Sequence, residues 1–279
     1  MKELFLVFLR GVGQIMFQRN ALSGALMLVG LAIGSWWLMV LTFLGSVVGT
    51  LFAKMLGCPK SDISDGLFGY NSALSGLAVG VFFSPSLIAF TLFIFVTILS
   101  TYITIILGKQ KRLPVLTAPF VVATWLIIQV GKLFFIGQIL PSAEMETQVE
   151  ADWLRAFFLN VGQVMFEENV IWTGFLFLLG IFVNSRLDAF YAVLGSLFSL
   201  PLGFVLSDLS CFNRGLIGYN AVLCAIALGS KNWRGLVGAV LAIALSIAFQ
   251  LLGMEYGLIT LTAPFVISVW LVSLVRSRC

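Results

Sequence analysis

The sequence predicts an all-α polytopic membrane protein built from two homologous halves. Three observations predict it. Of 279 residues, 60% are hydrophobic and 10% charged, against about 45–50% apolar and about 25% charged in a soluble domain. Mean hydropathy is +1.08. Apolar segments recur along the chain, and their motifs repeat in fixed order. A soluble fold of this size keeps a large exposed shell and cannot hide so much apolar surface, so the excess must face lipid. A spanning helix needs roughly 20 apolar residues, so the length allows on the order of ten spans.

The repeat is explicit in the residues. Gly13 to Phe17 reads GQIMF and Gly162 to Phe166 reads GQVMF, each followed three residues later by Asn20 or Asn169. GLFGYNSAL from Gly66 recurs as GLIGYNAVL from Gly215. LTAPF stands at Leu116 to Phe120 and again at Leu261 to Phe265, with Trp125 and Trp270 five residues on. Order and spacing together exclude shared composition as the cause. The expected organisation is a first membrane repeat over 1–140, an acidic linker over 141–152 and a second repeat over 153–279. The N-terminal stretch MKELFLVFLRGVGQIMF has the look of a signal peptide, but no A-x-A-like site follows it and its pattern recurs in the second half.

Apolar runs place spans near 4–18, 22–42, 43–57, 86–107 and 114–136, and near 156–183, 187–206, 214–229, 235–252 and 258–275. The Gly- and Ser-rich stretch from Ser64 to Phe83 reads as a re-entrant half-helix. An odd number of spans per half inverts one half against the other, a recurrent transporter design. Lys2, Lys109, Lys111, Arg112, Arg276 and Arg278 then share one side, and Glu144, Glu146, Glu150 and Asp152 the other. Excess Lys and Arg mark the cytoplasm, so both termini are expected there; Lys231 and Arg234 run against that count.

Paired residues mark a candidate pathway. Pro119 and Pro264 interrupt helices at equivalent places, where freed backbone must find partners in protein or cavity water. Thr117 and Thr262 precede them; their hydroxyls either bond their own helix or line a path. Gln14 and Gln163 are amides in apolar segments, costly unless hydrogen-bonded. They clamp helices or form polar rungs, with Phe17 and Phe166 three residues on. Tyr70 with Leu74, and Tyr219 with Leu223, are four apart and form a flat apolar wall. Asn71 and Asn220 read as structural, capping a half-helix or orienting carbonyls.

Other chemistries lack a basis. No histidine is present, which removes paired-His channels and His relays. No Walker motif, H-E-x-x-H or Cys/His metal set occurs. Cys58, Cys211, Cys224 and Cys279 show no metal-type spacing and suggest no disulfide. The net charge of +4 is scattered, so nucleic-acid binding is not expected. Asp65, Glu167, Glu168, Asp208 and Glu255 lie near segment ends and read as interfacial rather than as coupling sites.

GLxGYNxxL, LPVLTAPF from Leu113 to Phe120, and GQxMF with its following Asn resemble the urea transporter family, of bacterial type, over nearly the whole chain. The second LTAPF copy departs from the pattern, with Ile259 in place of Pro. The resemblance implies a channel-like facilitator with about ten transmembrane helices and two re-entrant half-helices around a narrow pore at the repeat interface, with two apolar slots and a polar centre. Tyr70, Leu74, Tyr219 and Leu223 would form one slot. Phe17, Phe166, Leu116 and Leu261 would belong to the other. Thr117 and Thr262 would line the centre, and Gln14 and Gln163 would supply polar rungs. Some members carry Glu where Gln163 stands. The resemblance further implies urea as solute, a multi-pass inner-membrane location, no cofactor and a trimer. A channel for another small neutral solute (an amide, ammonia or water), ion-coupled transport and a membrane enzyme remain the rival readings.

Overall fold

The computed structural model describes residues 2–110, 112–140 and 150–276; Lys111, Arg278, Cys279 and the linker residues 141–149, with Glu144 and Glu146, lie outside the described residues. The protein is an all-α polytopic membrane protein. The chain divides into two compact units, Met1–Ala143 and Glu144–Cys279.

In the first unit α1 (Lys2–Gly13) continues as a 3-10 turn, Gln14–Met16, and α2 (Ala21–Gly34) follows at a bend of 74°. Then come α3 (Trp36–Met55), the short α4 (Lys60–Ser64), α5 (Tyr70–Phe82), α6 (Leu87–Lys109) and α7 (Ala118–Phe134). The second unit has the same order: α8 (Trp153–Gly162) with the 3-10 turn Gln163–Met165, α9 (Ile171–Asn184), α10 (Arg186–Leu206), α11 (Leu209–Asn213), α12 (Tyr219–Leu228), α13 (Trp233–Glu255) and α14 (Ala263–Arg276). Among the described residues α3, α6, α10 and α13 are each long and apolar enough to cross a membrane alone; 20 residues of α-helix reach about 30 Å.

Two expected boundaries move. The run expected to divide near residue 42 divides at Ser35, where Oγ accepts the Leu38 N–H and caps α3; Ser at such a position satisfies an otherwise orphan donor. The run expected over 156–183 is two helices separated by residues 163–170. The prolines act differently too. Pro119 and Pro264 sit in the first turn of α7 and α14, where no intrahelical N–H bond is lost. They start these helices rather than interrupting them.

The helices are apolar outside, and their inner faces mix large apolar side chains with small and hydroxylic ones. On α6, Phe90, Phe95, Tyr102 and Ile106 are exposed, whereas Thr97, Ser100, Thr101 and Thr104 are buried. Thr97, Thr101 and Thr104 each bond the carbonyl four residues earlier, which lets hydroxyls lie at an interface without an unmet donor. Gly24 and Gly174 carry the close crossing of α2 on α1 and of α9 on α8. A Cβ on either would collide with a backbone carbonyl, of Leu9 or of Phe158. Ser46 Oγ donates to the Phe8 carbonyl at 2.8 Å, and Ser196 Oγ to the Phe157 carbonyl at 2.8 Å. These bonds tie α1 to α3 and α8 to α10.

Candidate functional site

Four non-glycine residues among those described have left-handed backbone: Phe17 (φ 65°), Leu116 (φ 49°), Phe166 (φ 58°) and Leu261 (φ 49°). All four are candidate site residues, in two equivalent pairs. A non-glycine residue held there costs on the order of 1–3 kcal/mol and persists only where its surroundings fix it. Branched Leu is a poor occupant of that region, so the partners that hold it are the key to the site.

Around Leu116 the partners are Tyr70 and Asn71, the first residues of α5. The Tyr70 hydroxyl donates to the Leu116 carbonyl at 2.7 Å, and Asn71 Nδ2 donates to the same oxygen at 3.2 Å. Asn71 Oδ1 accepts the Phe120 N–H, in the first turn of α7, at 3.3 Å. Asn71 Nδ2 also reaches Thr104 Oγ1 on α6 at 3.1 Å. The second unit repeats this. Tyr219 and Asn220 donate to the Leu261 carbonyl, and Asn220 Oδ1 accepts the Phe265 N–H at 3.2 Å. Where α6 has Thr104, α13 has Gln250. Its Oε1 accepts from Asn220 Nδ2 at 3.1 Å and from Thr260 Oγ1 at 2.9 Å, with the Tyr219 hydroxyl oxygen 3.3 Å away.

The four-residue spacing of the Tyr/Leu pairs is present, but the tyrosines are not plain apolar panels. Their hydroxyls are committed to backbone carbonyls, while Leu74 and Leu223 are almost fully buried. Thr117 and Thr262 follow the left-handed leucines and are buried at the mouths of α7 and α14. Asn71 and Asn220 carry the structural role expected of them, although neither caps its own half-helix.

Gln14 and Gln163 begin the 3-10 turns, and Phe17 and Phe166 end them in the left-handed conformation. The Phe rings therefore do not share a regular helix face with the amides, as the spacing of three suggests. Gln14 Nε2 donates to the Asp65 carbonyl at 2.9 Å, and Gln163 Nε2 to Glu168 Oε2 at 3.0 Å. In the first unit the loop then runs to Asn20, whose Oδ1 caps α2 through the Leu22 and Ser23 N–H groups. Asn169 is not the equivalent cap: Val170 precedes α9.

Sequence reasoning missed two ion pairs. Arg19 bonds Asp65 at 3.2 Å, and Glu168 bonds Arg214. They occupy equivalent places with their charges exchanged, because the same offset that pairs GYN with GYN pairs Arg19 with Glu168 and Asp65 with Arg214. The exchange was visible in the aligned halves, but a comparison for identity passes over opposite charges. Glu167 was expected at an interface; it is 4% exposed, and its Oε1 accepts the Asn169 N–H at 3.2 Å.

The comparisons with known proteins agree with this pattern. A family model described as urea transporter matches residues 5–277. Urea transporter 1 of Rattus norvegicus is 32% identical over 242 residues, covering 79% of this chain and 62% of the relative. Urea transporter 1 of Ovis aries is 30% identical over 300 residues, covering 97% of this chain and 76% of the relative. The chain thus spans about three fifths of the length of the rat relative. Both copies of GQxMF, GYN and LTAPF, with the left-handed residues they hold, fall inside the matched stretch, and the chain belongs to the urea transporter family.

Proposed function

We propose that the protein is a passive, channel-like facilitator of urea. The observation that carries this reading is the doubled constellation of a left-handed Leu, its Tyr/Asn clamp and the Thr that follows, set in a chain of the urea transporter family. We assign to the pathway Gln14, Phe17, Tyr70, Leu74, Leu116 and Thr117 of the first repeat, and Gln163, Phe166, Tyr219, Leu223, Leu261 and Thr262 of the second. The repeats are taken as 1–140 and 153–279, inverted in the bilayer, with 141–152 as linker. Both termini are placed in the cytoplasm and the protein in the inner membrane, as a homo-oligomer, a trimer by family likeness.

The chemistry suits the solute. Urea is flat and neutral, with four N–H donors and one carbonyl acceptor. A slot walled by Phe and Leu accepts its planar face and rejects hydrated ions, which lose solvation there. Amide and hydroxyl oxygens replace water along its edge, each weakly enough to pass the solute on.

The test is stopped-flow light scattering on proteoliposomes with urea, a bulkier urea analogue, glycerol and water, with and without a proton gradient. Fast urea entry that ignores the gradient supports the reading. Absence of urea flux overturns it. Flux that follows the gradient replaces it with coupled transport, and the buried Glu167 becomes the first carboxylate to neutralise.

A further inference from the structure

The two pathway glutamines are oriented by the ion-paired residues beside them. Gln14 and Gln163 are each 7% exposed. An amide can be turned either way, and its neighbours decide which. Here the neighbours leave one choice. The Asp65 carbonyl is an acceptor only, and so is the Glu168 carboxylate. Each glutamine must therefore offer its Nε2 to the protein. Neither Oε1 accepts a bond among the described residues.

In the second repeat the orienting group is a side chain. The Glu168 carboxylate is held at Oε1 by Arg214, and its main-chain carbonyl is held by Arg155 at 3.2 Å. The side chains of Glu168 and Arg214 are 24% and 20% exposed. That is sheltered enough for a charge-assisted bond to fix the direction of the carboxylate. In the first repeat a backbone carbonyl does this work, so no side-chain charge touches Gln14.

We propose that Glu168, fixed by Arg214, is a positioning residue that keeps the Gln163 oxygen free as an acceptor for a solute N–H group. The proposal rests on the transport reading above. It makes the second repeat's rung selective for solutes that bring N–H donors along the edge facing Gln163. It also makes that rung adjustable through one side chain, whereas the first repeat's rung is fixed by main chain. Urea carries N–H groups on both edges. Acetamide has nearly the same size and planarity but a methyl on one edge.

Three variants test this: Glu168→Gln, Gln163→Glu with Glu168→Gln, and Glu168→Asp, each scored for urea and acetamide flux beside the unaltered protein. In Glu168→Gln the neutral amide at position 168 keeps its oxygen toward Arg214, a donor only, and presents N–H to Gln163. Gln163 then turns its own oxygen to the protein, and the urea-to-acetamide flux ratio should fall roughly five- to tenfold, the worth of about one hydrogen bond. In the double variant the donor direction reverses: the amide now at position 168 donates to the carboxylate now at position 163, whose second oxygen remains an acceptor for solute. The ratio should return to within about twofold of the unaltered protein, less than half the worth of a hydrogen bond. Glu168→Asp keeps the acceptor-only carboxylate and should hold the ratio above that of Glu168→Gln. A purely structural role would lower both fluxes together and leave the ratio unmoved. That result, or a double variant no better than the single one, overturns the proposal. An unaltered protein that carries no urea removes the transport reading itself, and this inference with it.

Discussion

Asn71 grips the turn at Leu116 from both ends: its amide nitrogen meets the Leu116 carbonyl at 3.2 Å and its oxygen meets the Phe120 N–H at 3.3 Å. The two residues lie 45 positions apart in the chain. One side chain thereby fixes a left-handed leucine and the first turn of the helix that follows. The same grip recurs between Asn220 and Leu261. A paired, buried clamp of this kind converts a strained backbone into a defined wall.

Replacing Asn71 with Leu removes its bonds to Leu116, Phe120 and Thr104 and adds some bulk at a buried position. The Leu116 carbonyl retains Tyr70, and the Phe120 N–H loses this acceptor. The expected loss is about 2 kcal/mol or more of stability, since each lost neutral bond is worth about 1 kcal/mol. Thermal unfolding of the purified protein in detergent measures it. A midpoint equal to that of the unaltered protein would show that the turn holds itself.

Thr117→Val with Thr262→Val removes two hydroxyls at nearly constant shape. Urea flux should fall about tenfold or more, since each neutral hydrogen bond is worth about 1 kcal/mol. The unfolding midpoint should move little by comparison with Asn71→Leu. Flux at the unaltered level in the folded double variant would assign both hydroxyls to structure alone.

Phe17 separates strain from function. It is half-buried and left-handed, so glycine relieves strain while adding chain entropy to the unfolded state. The two effects are each about 1 kcal/mol and opposed. Phe17→Gly should therefore lower stability by little more than the burial of a half-buried ring, about 1 kcal/mol. It should nevertheless admit the bulkier urea analogue, because the ring is gone from the slot. An unchanged solute series would remove Phe17 from the pathway.

How far the sequence reached follows from what each feature depends on. The membrane class and the doubling were legible, because lipid demands apolar length and repeated motifs declare themselves by spacing. The order α1 to α7 against α8 to α14 follows that doubling element by element. The left-handed backbone of Leu116 and Leu261 was not legible, since no local propensity puts leucine there. At Leu116 it exists because Asn71 and Tyr70 impose it from another helix. Thr104 and Gln250 were likewise passed over, one being an ordinary membrane threonine and the other a lone amide, until the asparagines showed what they touch. The split at Ser35 could have been found from its Ser after Gly34, a cap signal hidden inside a continuous apolar run.

Arg19 and Asp65 offer the sharpest use of the repeat. The second unit holds the same contact with the charges exchanged, as Glu168 and Arg214, so the protein contains its own template for a swap. Arg19→Glu sets a carboxylate beside Asp65. Both side chains are well exposed, at 66% and 40%, so the cost should be modest, about 1 kcal/mol or less. Adding Asp65→Arg restores an ion pair in the order the second unit uses, and the midpoint should return. Glu168→Arg should cost more, about 3 kcal/mol, because it sets two cations together in a sheltered site and takes the acceptor from Gln163. A double-mutant cycle on the unfolding midpoints reads all of these. If Arg19→Glu with Asp65→Arg is as unstable as Arg19→Glu alone, the contact is not an interaction between charges but a packing of the arginine stem, and the exchange between repeats has no energetic meaning.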